Sequence, residues 1–423
     1  MAQLSSDQFA FKERLLSVEE ALARVAEGLQ PVAGTEDVSL LDADGRILAS
    51  DLKAPVDLPP FFNSAVDGYA VRFSDLAATG ETRLPVGGRI AAGSAATRPA
   101  GVAVAIRIFT GAPMPEGSDT VFMQEDVRLD GDCVILPPGL ASGANCRPAG
   151  EDIARGTIAL AAGRRMTPEA IALAAALGVT QLTVRRRVRV AVFSTGNEIV
   201  SPGTPLGAAQ LYDSNRFTLQ ALLRRLGAEV TDLGILRDER AAVATALREA
   251  ASGHDLILTS GGVSTGEEDH VKAAVEDVGS LTFWRLAIKP GRPVAMGVIP
   301  SAVAGESSAF IGLPGNPVAV FVTFAHVVRP FLAVLGGGEA TPLLALPVRV
   351  AFAYRKKVGR REYVRVALRR AADGVIEAVN HPREGAGVIT SLTETDGLLE
   401  LPEAVERLAP GDQAGFLSYA LLR

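Results

Sequence analysis

The residues best suited to chemistry lie in ILTSGGVSTGEEDH, at positions 257–270. A short apolar run ends at Thr259, and Ser260, Gly261 and Gly262 open a loop. Ser264 and Gly266 follow, then three acids, Glu267, Glu268 and Asp269. A strand feeding a glycine loop and a helix N-terminus leaves backbone N–H groups free to cradle a phosphate or another oxyanion. The acids behind such a loop cannot bind an anion directly. A divalent cation bridging them to it would give them a task. A tight turn with solvated acids fits the same residues.

Polar groups recur at comparable places. Thr195-Gly196-Asn197-Glu198 and Arg237-Asp238 each follow an apolar run, and Lys289-Pro290-Gly291-Arg292-Pro293 is a stiff turn carrying two cations. Upstream, the turn-forming block PVDLPPFFNSAVDGYAVR displays Asn63, Ser64 and Asp67, and Thr110-Gly111 ends a strand-like run. Further on, GRREYVRV sets Arg360 and Arg365 near a strand, and TSLTETDG reads as a polar loop holding Ser391.

These residues need elements to position them. Residues 188–336 alternate apolar strands with amphipathic helices. VRVAVFST is a strand. A helix at 214–226 stops at Gly227, a strand runs through 229–233, and Asp238 caps a helix ending near Gly253. That alternation predicts a doubly wound α/β/α sheet of parallel strands, where ligands sit at the strands' carboxyl ends. Three of the polar clusters fall at such ends. Residues 283–297 and 310–324 extend the domain, with Asn316 and Pro317 opening a helix.

Before it, Ser17-Val18-Glu19-Glu20 reads as a capping box, and 38–48 is strand-like. Residues 72–145 are short strands, with a hairpin turn at Asp130-Gly131. Thr167, Pro168 and Gly178 bracket another helix. If it pairs with the helix at Ser17, the stretch between is an insertion. The expected division is an elongated α+β domain from 1–54 and 146–185, an inserted β-rich domain at 55–145, the α/β domain at 186–337, and a small closed β domain at 338–423.

Composition excludes some partners. The 423-residue chain is 48% hydrophobic and carries a net charge of -6, which argues against nucleic-acid binding by phosphate neutralisation. Two cysteines, Cys133 and Cys146, are too few for a disulfide framework or a structural zinc site and suit a reducing compartment. No run reaches the ~20 apolar residues of a membrane helix, and the start has no apolar signal core, so no membrane association and a cytoplasmic location are expected.

NSAVDGYA, RIFTGAPMP, AGED, STGNE, YDSN, ILRD, TSGGVSTGEEDH, IKPGRP, GLPGNP and GRREYVR occur in that order. Together they resemble the molybdopterin molybdenumtransferases, the MoeA-type enzymes that include the corresponding domain of gephyrin. The resemblance implies the multidomain α/β architecture above, with the last domain a β-barrel, and a homodimer with shared active sites. The implied reaction joins molybdate to adenylyl-molybdopterin and releases AMP, giving molybdenum cofactor. The pterin's own dithiolene holds the metal, so cysteine ligands are unnecessary.

The resemblance also implies roles. Ser260, Gly261, Gly262, Ser264 and Gly266 would carry the pyrophosphate linkage. Mg2+ would bind Asp238 and Asp269, with Glu198 as a third ligand. Lys289, Arg360, Arg365 and Ser391 would hold molybdate by charge-assisted hydrogen bonds, with Pro290 also on the substrate-binding surface. Asp67 and Thr110 match functional positions on the inserted domain, and Arg147 and Asp152 would support the same cleft. A molybdopterin adenylyltransferase is the implied transient partner. Two positions depart from the family: Val66 stands where Met is usual, and Arg285 where many relatives have Lys. The alternative, a molybdopterin adenylyltransferase or related nucleotide-processing enzyme of the same α/β fold, leaves NSAVDGYA, TGAP and the last domain without a task.

Overall fold

The computed structural model describes residues 15–32, 34–94, 102–262 and 270–422; Ser264, Gly266 and Asp269 lie outside the described residues. At its centre is a six-stranded sheet in the order Glu229–Leu236, Arg189–Thr195, Leu256–Ser260, Ser307–Leu313, Pro293–Pro300, Ser280–Arg285. The first four strands are parallel. Pro293–Pro300 runs antiparallel to both its neighbours, Ser307–Leu313 and Ser280–Arg285, so the sheet is mixed rather than wholly parallel as expected. A reversal needs only a short turn, which the 301–306 connection supplies, whereas a parallel strand needs a crossover helix.

Helices cover both faces. Asn215–Arg225 and the long 317–335 helix pack on one side with Val190, Val192, Leu256 and Leu258. Arg240–Ala251 and His270–Val278 pack on the other with Ala191, Phe193 and Ile257. Burial on both faces explains why VRVAVFST is almost continuously apolar. Residues 317–335 correct one expectation: the stretch is long and apolar enough to cross a membrane by composition, yet 89% of it is buried inside the protein. Val320, Phe321, Phe324, Phe331 and Leu335 are at most 5% exposed, each worth about 1.5–3 kcal/mol of core burial.

Local signals set several helix ends. Ser17 and Glu20 form the reciprocal capping box of Val18–Gly28. Thr167 caps Pro168–Ala176 with Pro168 at the first position, and Gly178 follows at φ +77°. These two helices do not pair. The first packs with the helix at Arg329–Leu335, and the second shares a separate core with Ala43, Leu48 and Val184. Strand pairing joins the distant segments instead: Thr35–Ser39 lies antiparallel to Gln181–Arg185, and Leu52–Lys53 to Ile158–Leu160. Residues 38–48 are therefore only partly strand; a short helical turn, Leu41–Ala43, follows.

Between them, Gly68–Val71, Thr82–Ile90, Ala105–Ile108, Thr120–Met123, Arg128–Asp130 and Cys133–Leu136 form another six-stranded sheet. Near the end of the chain, Arg361–Arg370, Ile376–Asn380, Leu346–Val350, Gln413–Ser418 and Gly397–Leu401 pair in sequence and close back on the first, a five-stranded barrel. Tyr363 of this barrel stacks on His326 of the long helix, ring centroids 4.4 Å apart, fastening barrel to α/β core.

Candidate functional site

At the carboxyl ends of the parallel strands, Thr195 Oγ1 donates to Asp238 Oδ1 at 3.2 Å. Asp238 was expected to cap the next helix. Instead Glu239 occupies the cap position of Arg240–Ala251, without a side-chain cap, and Asp238 reaches across the sheet. Ser260 pairs in register with Ser194 on the neighbouring strand. Gly261 and Gly262 take φ +87° and +65°. A Cβ on Gly262 would lie 2.5 Å from Val271 and 3.0 Å from the Thr195 methyl, so glycine is required for this turn. The Glu198 carboxylate folds back over Gly196, where a Cβ would lie 2.7 Å from Glu198 Oε2. Asp238, Thr195, Glu198 and the Ser260 turn therefore form one rim of oxygen donors.

A second group lies in a cavity of about 260 Å³ lined by Lys289, Pro290, Tyr354, Glu362, Arg365 and His381, among others. Lys289 Nζ donates to Glu362 Oε2 at 3.0 Å, and Tyr354 OH donates to the same oxygen at 3.1 Å. Burial and then the Glu362 charge push the Tyr354 phenol well above its usual range, so it stays a donor. Arg365 is 6% exposed. Its Nε donates to Ser391 Oγ at 3.1 Å, and Nη2 to the carbonyls of Arg383 and Gly385. Burial lowers its proton affinity, though an arginine stays charged at any working pH. Ser391 is fully buried on a short helix, Thr390–Thr393, where a polar loop was expected. Its hydroxyl accepts from Arg365 and donates to Val388 O at 2.5 Å. Arg360 does not join the cavity lining; its carbonyl accepts from Lys356 Nζ at 2.7 Å.

One turn connects the two groups. A Cβ on Gly315 would lie 3.9 Å from Gly261 Cα, and one on Gly387 3.9 Å from Asn316 Oδ1. Val318 N–H donates to Ala386 O, next to Gly385, which Arg365 grips. On the other side, Asn215 Nδ2 donates to Gly315 O at 2.7 Å, while its buried Oδ1 has no donor among the described residues. GLPGNP is thus a bridge from the strand-end turn to the barrel cavity. Asn316 sits at a helix cap position but makes no side-chain cap bond.

Asp67 and Thr110 are joined to each other on the inserted sheet. Asp67 Oδ1 accepts from Thr110 N at 2.8 Å and Oγ1 at 2.9 Å. The Thr110 N–H, then its hydroxyl, then nearby Arg107 hold this carboxyl below its usual range. Arg147 is exposed and pairs in strand register with Asn63, and Asp152 is exposed with its N–H bonded to Leu58 O.

Sequence reasoning missed Glu362, Tyr354, Asn215 and the His381–Glu394 pair (2.9 Å) beside the cavity. An acid flanked by arginines and tyrosine in GRREYVR was the available signal for Glu362. Among the described residues no three His, Cys, Asp or Glu side chains cluster as a metal site. Two carboxylates and a hydroxyl are nonetheless hard oxygen donors. They fit Mg2+, which commonly takes one or two carboxylates and completes its shell with phosphate and water.

The chain matches three family profiles: "MoeA N-terminal region (domain I and II)" over residues 16–178, "Probable molybdopterin binding domain" over 191–334, and "MoeA C-terminal region (domain IV)" over 347–419. A molybdopterin molybdenumtransferase from Haemophilus influenzae is 38% identical over 400 residues, spanning 94% of this chain and 97% of its own. Molybdopterin molybdenumtransferase 2 of Mycobacterium tuberculosis is 36% identical over 407 residues, spanning 93% and 96%. The solved structure of the molybdopterin biosynthesis moeA protein from Pyrococcus horikoshii OT3 superposes with a TM-score of 0.79 at 27% identity, covering 96% of this chain and 100% of that one.

Proposed function

We infer the function from membership: the chain belongs to the MoeA family of molybdopterin molybdenumtransferases, and it is a transferase that inserts molybdenum into molybdopterin. The observation that carries the finer reading is the GLPGNP bridge between a rim of carboxylates and a cavity holding the cations Lys289 and Arg365. A substrate with a phosphate-linked nucleotide at one end and a dithiolene at the other suits such a cleft.

In this reading the Ser260–Gly262 turn receives the pyrophosphate of adenylyl-molybdopterin on backbone N–H groups. Asp238 and Glu198, with Asp269 from outside the described residues, would hold Mg2+. That ion, when bound, would offset charge on the phosphate as the bond to AMP breaks. Lys289 and Arg365 hold molybdate beside the dithiolene. Glu362 and Ser391 keep those cations aimed, which lowers the orientational cost of bringing an oxyanion to the sulfurs. Asp67 and Thr110 would act across a homodimer, in the partner's cleft. A cytoplasmic location and transient receipt of substrate from a molybdopterin adenylyltransferase complete the proposal.

The test is incubation of purified protein with adenylyl-molybdopterin and Mg2+, with and without molybdate. Molybdate-dependent release of AMP is expected. AMP release that ignores molybdate would instead favour a nucleotide-processing enzyme.

A further inference from the structure

A larger cavity, of about 480 Å³, opens away from that cleft, where the sheet's strands begin rather than end. Its walls come from distant parts of the chain, the Gly163 turn, the long helix, the Gly338 linker and Leu421. A seven-residue strand separates it from the carboxylate rim, about 20 Å at the usual rise per residue.

Three arginines face this space: Arg164, Arg165 and Arg329. Two other arginines, both largely buried, meet carboxylates, whereas Arg164 and Arg165 are exposed. Arg361 touches Glu19, Glu400 and Glu403, and Arg216 touches Asp213 and Asp232. The cavity arginines have no such partner among the described residues. Arg165 donates only through Nη1, to the carbonyls of Gly45 and Leu226. Arg329 donates to Ala325 O and Thr341 O. Arg164 makes no side-chain hydrogen bond or ion pair there, and Glu339 on the rim pairs with none of them. Crowding by protein disfavours the charge on both Arg165 and Arg329, and Arg165 adds repulsion at Arg329. The opposite wall is apolar: Ile47, Leu332 and the 45%-exposed Leu421.

We propose that this cavity binds a phosphate monoester, its dianionic phosphoryl group on Arg164, Arg165 and Arg329 and its apolar body against Ile47, Leu332 and Leu421. A dianion offsets the mutual repulsion of guanidiniums that no carboxylate relieves, and guanidinium forks match phosphate geometry. The volume is in the range of small-molecule sites and exceeds the need of a bare tetrahedral ion. A ligand here touches segments from the N-terminal part, the α/β core and the chain's end at once, so it would stiffen their relative placement.

The test is calorimetric titration of the full-length protein with phenyl phosphate and with inorganic phosphate. A Lys289→Gln, Arg365→Gln background removes both oxyanion-holding cations of the other cavity. Phenyl phosphate should bind about once per chain and more tightly than inorganic phosphate. Arg165→Gln with Arg329→Gln should weaken it by about 10-fold or more. Arg164→Gln, which breaks no internal hydrogen bond, should weaken it without altering the melting temperature, so a folding defect cannot produce the effect. Unchanged affinity in Arg164→Gln and in the double variant would overturn the site. Inorganic phosphate binding as tightly as the ester would overturn its assignment to a monoester.

Discussion

Lys289 Nζ sits 3.0 Å from Glu362 Oε2, and only the lysine reaches solvent: its side chain is 52% exposed, the glutamate 1%. The buried acid has a second donor in Tyr354. It therefore acts as a fixed post that holds the ammonium over the cavity while leaving its remaining protons outward. Glu362→Gln keeps the shape and an acceptor but removes the charge. The KM for molybdate should rise by about 10-fold, as expected for one charge-assisted hydrogen bond, with a smaller change in kcat. Glu362→Asp should recover part of the loss. Equal effects on kcat and KM would point to a merely structural role.

Arg365 is held on three acceptors, Ser391 Oγ and the carbonyls of Arg383 and Gly385. Lysine keeps the charge but not the fork. Arg365→Lys should lower molybdate-dependent turnover at least about 10-fold, with adenylyl-molybdopterin binding retained. Loss of pterin binding, measured by fluorescence titration, would place Arg365 elsewhere in the mechanism.

Asp238→Asn removes a carboxylate charge from the strand-end rim while sparing most of the Thr195 contact. The Mg2+ concentration giving half-maximal turnover should rise steeply, and saturating Mg2+ should restore part of the rate. A turnover that falls with no change in Mg2+ dependence would remove Asp238 from the metal site.

Gly262→Ala forces a φ of +65° on a residue with a Cβ, 2.5 Å from Val271. Left-handed strain costs about 1–3 kcal/mol, and the clash adds to it. Substrate binding should weaken, and hydrogen exchange at the start of His270–Val278 should quicken. An alanine variant with parent affinity would show that this turn does not shape the phosphate cradle.

His326 is wholly inside, stacked on Tyr363. Burial first, then the charges of Arg329 and Arg361, drive its pKa from 6.5 down to about 3. Its folded form refuses a proton that the unfolded chain accepts. The stability it contributes is complete above pH 6.5 and is lost as pH falls towards 3, at about 1.4 kcal/mol per pH unit. His326→Phe keeps the ring contact and should flatten the fall in melting temperature between pH 6.5 and 4. Parallel curves for variant and parent would contradict the assignment.

Asp67 and Thr110 share a hydrogen-bonded unit on the inserted sheet. If they serve the partner's cleft, Asp67→Ala and Asp238→Ala proteins should each be inactive alone. Mixed after gentle dissociation, they should regain about a quarter of parent activity, the statistical share of intact clefts in a two-site dimer. No recovery in a verified heterodimer would place both groups in one chain's site.

The helices were legible where the signal is local. Ser17 with Glu20, Thr167 with Pro168, and Gly227 at φ +86° fix ends through neighbours a few residues away. The apolar runs likewise told which strands are covered on both faces. What sequence reasoning missed depends on distant partners. Asp238 looks like a helix cap because its neighbours in sequence form a helix, but its bond goes to Thr195, 43 residues earlier. Ser391 looks like loop polarity until Arg365 is placed beside it. The helix at Ser17 could have paired with any apolar face, and periodicity does not say which. Asn215 and Gly315, 100 residues apart, carry no sequence signal of their contact.

The most direct measurement counts two products in one reaction: AMP released and molybdenum bound to the pterin, with adenylyl-molybdopterin, Mg2+ and a series of molybdate concentrations. A cleft that holds the nucleotide linkage and the oxyanion together predicts a ratio of one at every concentration, and no AMP when molybdate is withheld. AMP appearing without molybdate, or in steady excess over the metal inserted, would mean that the carboxylate rim and the cation cavity work independently.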